Sequence, residues 1–200
     1  MTEYKSVDIT CGGCGAAVAT SQKTCNFCNG PVLITSFSSV YSMLPQQTNK
    51  YANSYKNALK DNPDDAALNS AVAMCYLKLK LYDKALASFE KAIQDNFDNS
   101  ETYFYAAVCL LQGKKAFVTP RPVIDQIEQY IQAALMIEPR GIYHYFQAYI
   151  KYDYYQRKFF RTSPTYTDAL INARSNGVSD YDTEQLFSLL EIEQPECLSL

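Results

Sequence analysis

Residues 66–99 read AALNSAVAMCYLKLKLYDKALASFEKAIQDNFDN, and the spacing of small and aromatic side chains in this stretch decides the fold. Val72, Ala73 and Tyr76 share one face of a helix predicted over 66–79. A break at 80–82 leads into a second helix over 83–94, where Ala85, Phe89 and Ala92 recur at helical spacing. Alanines at 73, 85 and 92 let two helix axes approach closely, and Tyr76 and Phe89 fill the gaps that remain. The expectation is a helical hairpin.

The same periodicity continues on both sides. Upstream, Tyr51, Tyr55 and Ala58 mark a helix within 46–61, ahead of Pro63. Downstream, Ala106, Ala107 and Leu110 mark one over 101–111; residues 113–122 interrupt the pattern, and Ile127, Ile131, Ala134 and Leu135 resume it over 123–137. A further helix runs from Ile142 through Tyr152, a break covers 158–164, and two short helices are expected over 166–173 and 183–191. Beyond Pro195 no order is required.

The 34-residue unit at 66–99 resembles a tetratricopeptide repeat. The family's signature positions fall here on Asn69, Val72, Ala73, Tyr76, Ala85, Phe89, Ala92 and Phe97, so its first Trp and last Pro are replaced while the middle is kept. The resemblance implies a mainly α fold of antiparallel helical repeats whose first helices line a groove for a protein or peptide partner. Carried onto this chain, the groove positions are Ser70, Met74, Leu77, Phe104, Val108, Leu111, Phe146, Ile150 and Asp153. Ser70 and Met74 stand where some members place a Lys and an Asn to clamp an acidic C-terminus, which argues against that use. Two alternatives stay open: the chain's own terminal helices or its N-terminal module fill the groove, or the helices form isolated degenerate hairpins.

Ahead of the helices lie two cysteine pairs, Cys11-Gly-Gly-Cys14 and Cys25-Asn-Phe-Cys28. Two such turns can aim four thiolates at one tetrahedral centre. Glycines at 12, 13, 15 and 30 permit tight backbone paths, Asn29 tolerates left-handed geometry, and short extended pieces at 6–10 and 31–35 flank the turns. Residues 6–36 resemble a zinc ribbon, which implies Cys11, Cys14, Cys25 and Cys28 as ligands of one structural Zn2+ per chain. Two disulfides, a redox dithiol and an iron–sulfur centre are the competing uses of these residues.

Composition narrows the function. The net charge is −3, and residues 1–34 hold only Lys5 and Lys23 as cations against Glu3 and Asp8. A four-thiolate zinc centre adds formal negative charge, so a phosphate backbone finds little to grip. A nucleic-acid-associated factor using the ribbon is therefore the alternative to a protein-interaction adaptor or scaffold. His144 is the sole histidine, Cys75 and Cys109 sit inside predicted helices, and no phosphate-cradling glycine loop occurs; catalysis is not expected. No apolar run of about 18 residues exists to span a bilayer, and no membrane partner is expected. The charged N-terminal residues do not read as a leader, which with paired cysteines points to the cytoplasm. The 17 tyrosines, dense over 143–155, cannot all share one helix face. The expected organisation is a zinc ribbon over 1–36, a linker over 37–45 and a helical repeat domain with C-terminal capping helices over 46–200.

Overall fold

The computed structural model describes residues 6–200. Glu3 and Lys5, and with them the start of the expected 1–36 module, lie outside the described residues. The architecture is mainly α and repetitive, with a small antiparallel hairpin at its N-terminal end. It divides into two compact units, Met1–Phe97 and Asp98–Leu200.

In the first unit, β1 (Asp8–Thr10) pairs with β2 (Ala17–Ala19), Ile9 facing Val18 across the ladder. The partner of the first extended piece thus lies between the cysteine pairs; the piece at 31–35 contributes a single bridge, Thr24 to Pro31. The span expected to be a linker contains a short helix, α1 (Phe37–Tyr41), with Phe37 and Val40 buried. Pro45 then opens α2 (Pro45–Ala58), where a missing N–H costs nothing.

The central hairpin pairs α3 (Ala66–Lys78) with α4 (Tyr82–Asp95). Asp65 caps α3 by accepting from the Leu68 amide at 2.8 Å. Helix α3 is buried nearly all round, from Leu68 to Cys75 and again at Leu77, because α1, α2 and α4 all pack on it. Helix α4 buries only Ala85, Phe89 and Ala92, the stripe its spacing predicted.

In the second unit, α5 (Ser100–Leu110) packs on α6 (Arg121–Ile137), and the interruption between them winds into a 3-10 turn at Ala116–Val118. Helix α7 (Gly141–Ile150) widens into a π turn at Lys151–Tyr155 and tightens into a 3-10 turn at Gln156–Lys158. Two capping boxes, Thr165 with Asp168 and Ser179 with Asp182, start α8 (Tyr166–Ser175) and α9 (Asp180–Leu190).

The tyrosines of 143–155 go inward. Tyr143, Tyr145, Tyr149, Tyr154 and Tyr155 are all buried, and only Tyr152 is half-exposed. Buried hydroxyls need partners, and four of these five have one. The Tyr143 hydroxyl bonds Ser100 Oγ at 3.0 Å; Tyr149 accepts from the Ala116 amide at 3.1 Å; Tyr155 donates to Glu128 at 2.8 Å. Tyr145 donates to the Leu198 carbonyl at 2.7 Å. That bond and the burial of Leu198 fold the tail beyond Pro195 onto the unit, where the sequence required no order.

Candidate metal centre

Each cysteine pair is closed by the same backbone bonds. The Gly15 amide donates to the Cys11 carbonyl (2.9 Å) and the Cys11 amide to Ala16 (2.7 Å); the Asn29 amide donates to Cys25 (2.9 Å) and the Cys25 amide to Gly30 (2.8 Å). The residue after each pair turns left-handed, Gly15 at φ +84° and Asn29 at φ +56°. Asn29 therefore does in the second knuckle what glycine does in the first, as its tolerance of that region allows.

The knuckles face each other. Cys11 Sγ lies 3.7 Å from Cys28 Sγ, and Cys14 Sγ 3.7 Å from Cys25 Sγ; all four sulfurs fall within 4.8 Å of one another. A tetrahedral ion with sulfur ligands at about 2.3 Å needs sulfur separations of about 3.8 Å. The fit is close for a single ion, and sulfurs at contact distance leave no room for a multi-atom cluster. Disulfides need sulfur separations of about 2.0 Å, and all seven cysteines are free. Cys11 and Cys25 are buried while Cys14 and Cys28 are exposed, so the centre has a protein side and a solvent side.

The thiols differ in how readily they ionise. Backbone amides of Phe27 and Cys28 lower the Cys25 thiol to about 7. At Cys28 the Gly30 amide favours the thiolate, but Cys14, burial and the other two thiols together outweigh it and push the group up to about 11. One thiolate forms readily, and its charge resists the next. A dication would relieve that repulsion and hold all four ionised.

The ribbon is seated on α2. A Cβ on Gly12 would lie 2.4 Å from the Tyr51 ring, and one on Gly30 would lie 2.7 Å from the Tyr51 hydroxyl. These glycines clear a slot for Tyr51, which is buried beside the thiols; burial first, then their charge, pushes its hydroxyl up to about 12. Ser54 Oγ donates to the Thr10 carbonyl, and the Tyr55 hydroxyl donates to the Val32 carbonyl at 3.0 Å. Helical periodicity places Tyr51 and Tyr55 in a repeat helix and says nothing of this role, since nothing local connects them to the cysteine pairs at 11–14 and 25–28.

The partner-facing candidates are not on an open surface. Met74 and Leu77 on α3, Phe104, Val108 and Leu111 on or just after α5, and Phe146, Ile150 and Asp153 on or just after α7 are all buried. Helix α3 is enclosed by its neighbours, and Phe104 packs against Tyr143 (4.8 Å between centroids, tilted) and edge-on against Phe146 (5.8 Å). Asp153 accepts from the Phe117 amide at 2.8 Å and pairs with Arg157. Ser70 is buried as well.

Residues proposed for packing behave as packing. Cys75 and Cys109 are buried, and burial pushes the Cys75 thiol up to about 12. His144 is half-buried on α7, where burial lowers its pKa against an opposing bond to Gln147. Among the described residues, only Cys11, Cys14, Cys25 and Cys28 gather as a metal-ligating group. No helix there is long and apolar enough to cross a membrane.

Residues 52–104 match the tetratricopeptide repeat family. Solved structures similar to this chain include two of MamA. One, MamA MSR-1, shows 16% identity and a TM-score of 0.45 over 76% of this chain and 78% of that one. The other, MamA AMB-1, shows 17% identity and a TM-score of 0.47 over 74% of each. No curated protein matches by sequence. The chain thus joins a tetratricopeptide-like helical repeat region to an N-terminal β-hairpin carrying a four-cysteine cluster.

Proposed function

We propose that this chain is a non-enzymatic protein-interaction adaptor or scaffold whose N-terminal module holds one structural Zn2+ on Cys11, Cys14, Cys25 and Cys28. The observation carrying the reading is the convergence of four sulfurs, 3.7 Å apart in two crossed pairs, with every ligand supplied by protein. Such a closed site leaves no position for water or substrate, so the ion cross-links the module rather than activating anything. With Tyr51 in its slot, that cross-link also steadies α2. The helical hairpins then supply a rigid body, and with the groove positions buried, recognition falls to side chains on their outer faces.

The test has two parts. Metal analysis of reduced full-length protein should find about one zinc per chain; folded protein with none removes the metal half. Co-purification with the full chain, with and without nuclease and across a salt series, addresses the partner. Proteins retained after nuclease support the adaptor. Retention abolished by nuclease and steeply weakened by salt supports the nucleic-acid alternative and ends the adaptor reading.

A further inference from the structure

The turn that follows α7 presents two phenylalanines to solvent. Phe159 is 93% exposed and Phe160 is 50% exposed. Phe159 sits at φ +58°, in the left-handed region that a bulky side chain enters at a cost and glycine would enter freely. Hydrogen bonds hold it there, from the Phe159 amide to Gln156 (3.0 Å) and from the Phe160 amide to Tyr155 (2.9 Å). The backbone is thus fixed in a form that aims a benzyl group outward and gives it nothing to pack on.

Cations surround this pair. Arg157 and Lys158 precede it and Arg161 follows it, while no carboxylate occurs between Asp153 and Asp168. In a chain of net charge −3 this is a local reversal of sign. Lys158 Nζ rests 3.8 Å from the Tyr154 ring centroid, Phe160 leans on the same ring at 6.2 Å, and Arg161 is exposed with no ion pair among the described residues. Thr162 and Ser163 continue the rim with hydroxyls.

We propose that this turn is a docking surface for an anionic lipid bilayer, with Phe159 and Phe160 entering the acyl boundary while Lys158 and Arg161 meet the headgroups. Projecting rings need a soft apolar medium that closes around them, which a bilayer surface provides. Flanking cations at headgroup level are drawn to acidic lipid. This is peripheral contact, which asks for no spanning helix, so the expectation of no membrane partner, drawn from the absence of an apolar run, does not reach it.

The experiment is vesicle flotation of the full chain, with phosphatidylcholine vesicles containing about one-third phosphatidylserine against phosphatidylcholine alone. Wild type should float with the acidic vesicles and lose that binding in high salt. Phe159→Ser with Phe160→Ser should bind at least about tenfold more weakly and Arg161→Glu several-fold more weakly, since apolar and charged contributions act together. Phe97→Ser, at a 67% exposed ring elsewhere, should float as wild type, and circular dichroism checks that each variant is folded. The proposal is overturned by wild type that does not float, by serine variants that float equally well, or by equal loss in Phe97→Ser. Binding of a single-stranded oligonucleotide through these phenylalanines without flotation would also overturn it, in favour of base stacking.

Discussion

The cysteine module and the tyrosine-rich core of the second unit meet one problem in different ways. Each must hold polar groups inside a small volume. The module has a handful of buried aliphatic side chains, Val7, Ile9, Val18, Val32 and Ile34, too few to order a loop-rich segment by burial alone. It concentrates four thiols, whose mutual repulsion calls for a cation. The core around α7 buries five tyrosines and gives the hydroxyls of Tyr143, Tyr145, Tyr149 and Tyr155 hydrogen-bond partners. On the proposed zinc reading, order in one region depends on an ion; in the other it depends on packing that needs nothing from outside.

Removing the ion should separate the two most widely. A strong chelator, or Cys25→Ser, should take zinc from about one per chain to near zero and open residues 6–35 to protease. Hydrogen exchange in α7 should stay unchanged; simultaneous loss of protection there would break the comparison. Next in size is Phe146→Ala, which empties a fully buried position beside Phe104 and Tyr149. It should cost about 3–5 kcal/mol in denaturant unfolding of the second unit while zinc content holds. Released zinc would show that the regions are not independent.

Gly12→Ala sharpens the account of the module. Its new Cβ meets the Tyr51 ring at 2.4 Å, and overpacking of this kind costs about 1–3 kcal/mol. Competition with a colorimetric chelator should show weaker zinc binding; unchanged affinity would mean that seating on α2 does not support the ligands. The smallest effect is a pH response of chelated protein. Cys25 is lowered from 9.0 to about 7, so its contribution is present above pH 9 and disappears as pH falls through 7. Exchange protection around 25–30 should decline across that window. The core tyrosines, raised by burial, stay neutral throughout, so an equal decline around α7 would contradict the contrast.

Much of this was readable residue by residue. The hairpin at 66–99 emerged as α3 and α4 with ends displaced by a residue, because small and aromatic side chains at period 3.6 allow one arrangement. The doubled C-x-x-C spacing named four residues whose sulfurs converge. Less legible was anything requiring knowledge of neighbours. The groove positions were chosen by helical register, yet register cannot say how many helices will cover a face, and α3 is covered on several sides. The helix at 37–41 hid in a serine-rich stretch, since its order comes from burying Phe37 and Val40 rather than from propensity.

By itself, then, the sequence determined what depends on short spacing: the two cysteine pairs, the tolerance of Asn29 for left-handed geometry, the periodic helices and the acidic balance. Tertiary structure alone decided that Tyr51 enters the cysteine module, that the tyrosines of 143–155 turn inward, that the tail returns to Tyr145, and that Phe159 is left facing solvent. The reason is physical. Periodicity and turn chemistry are local properties of a chain, whereas burial is a property of everything that packs against it.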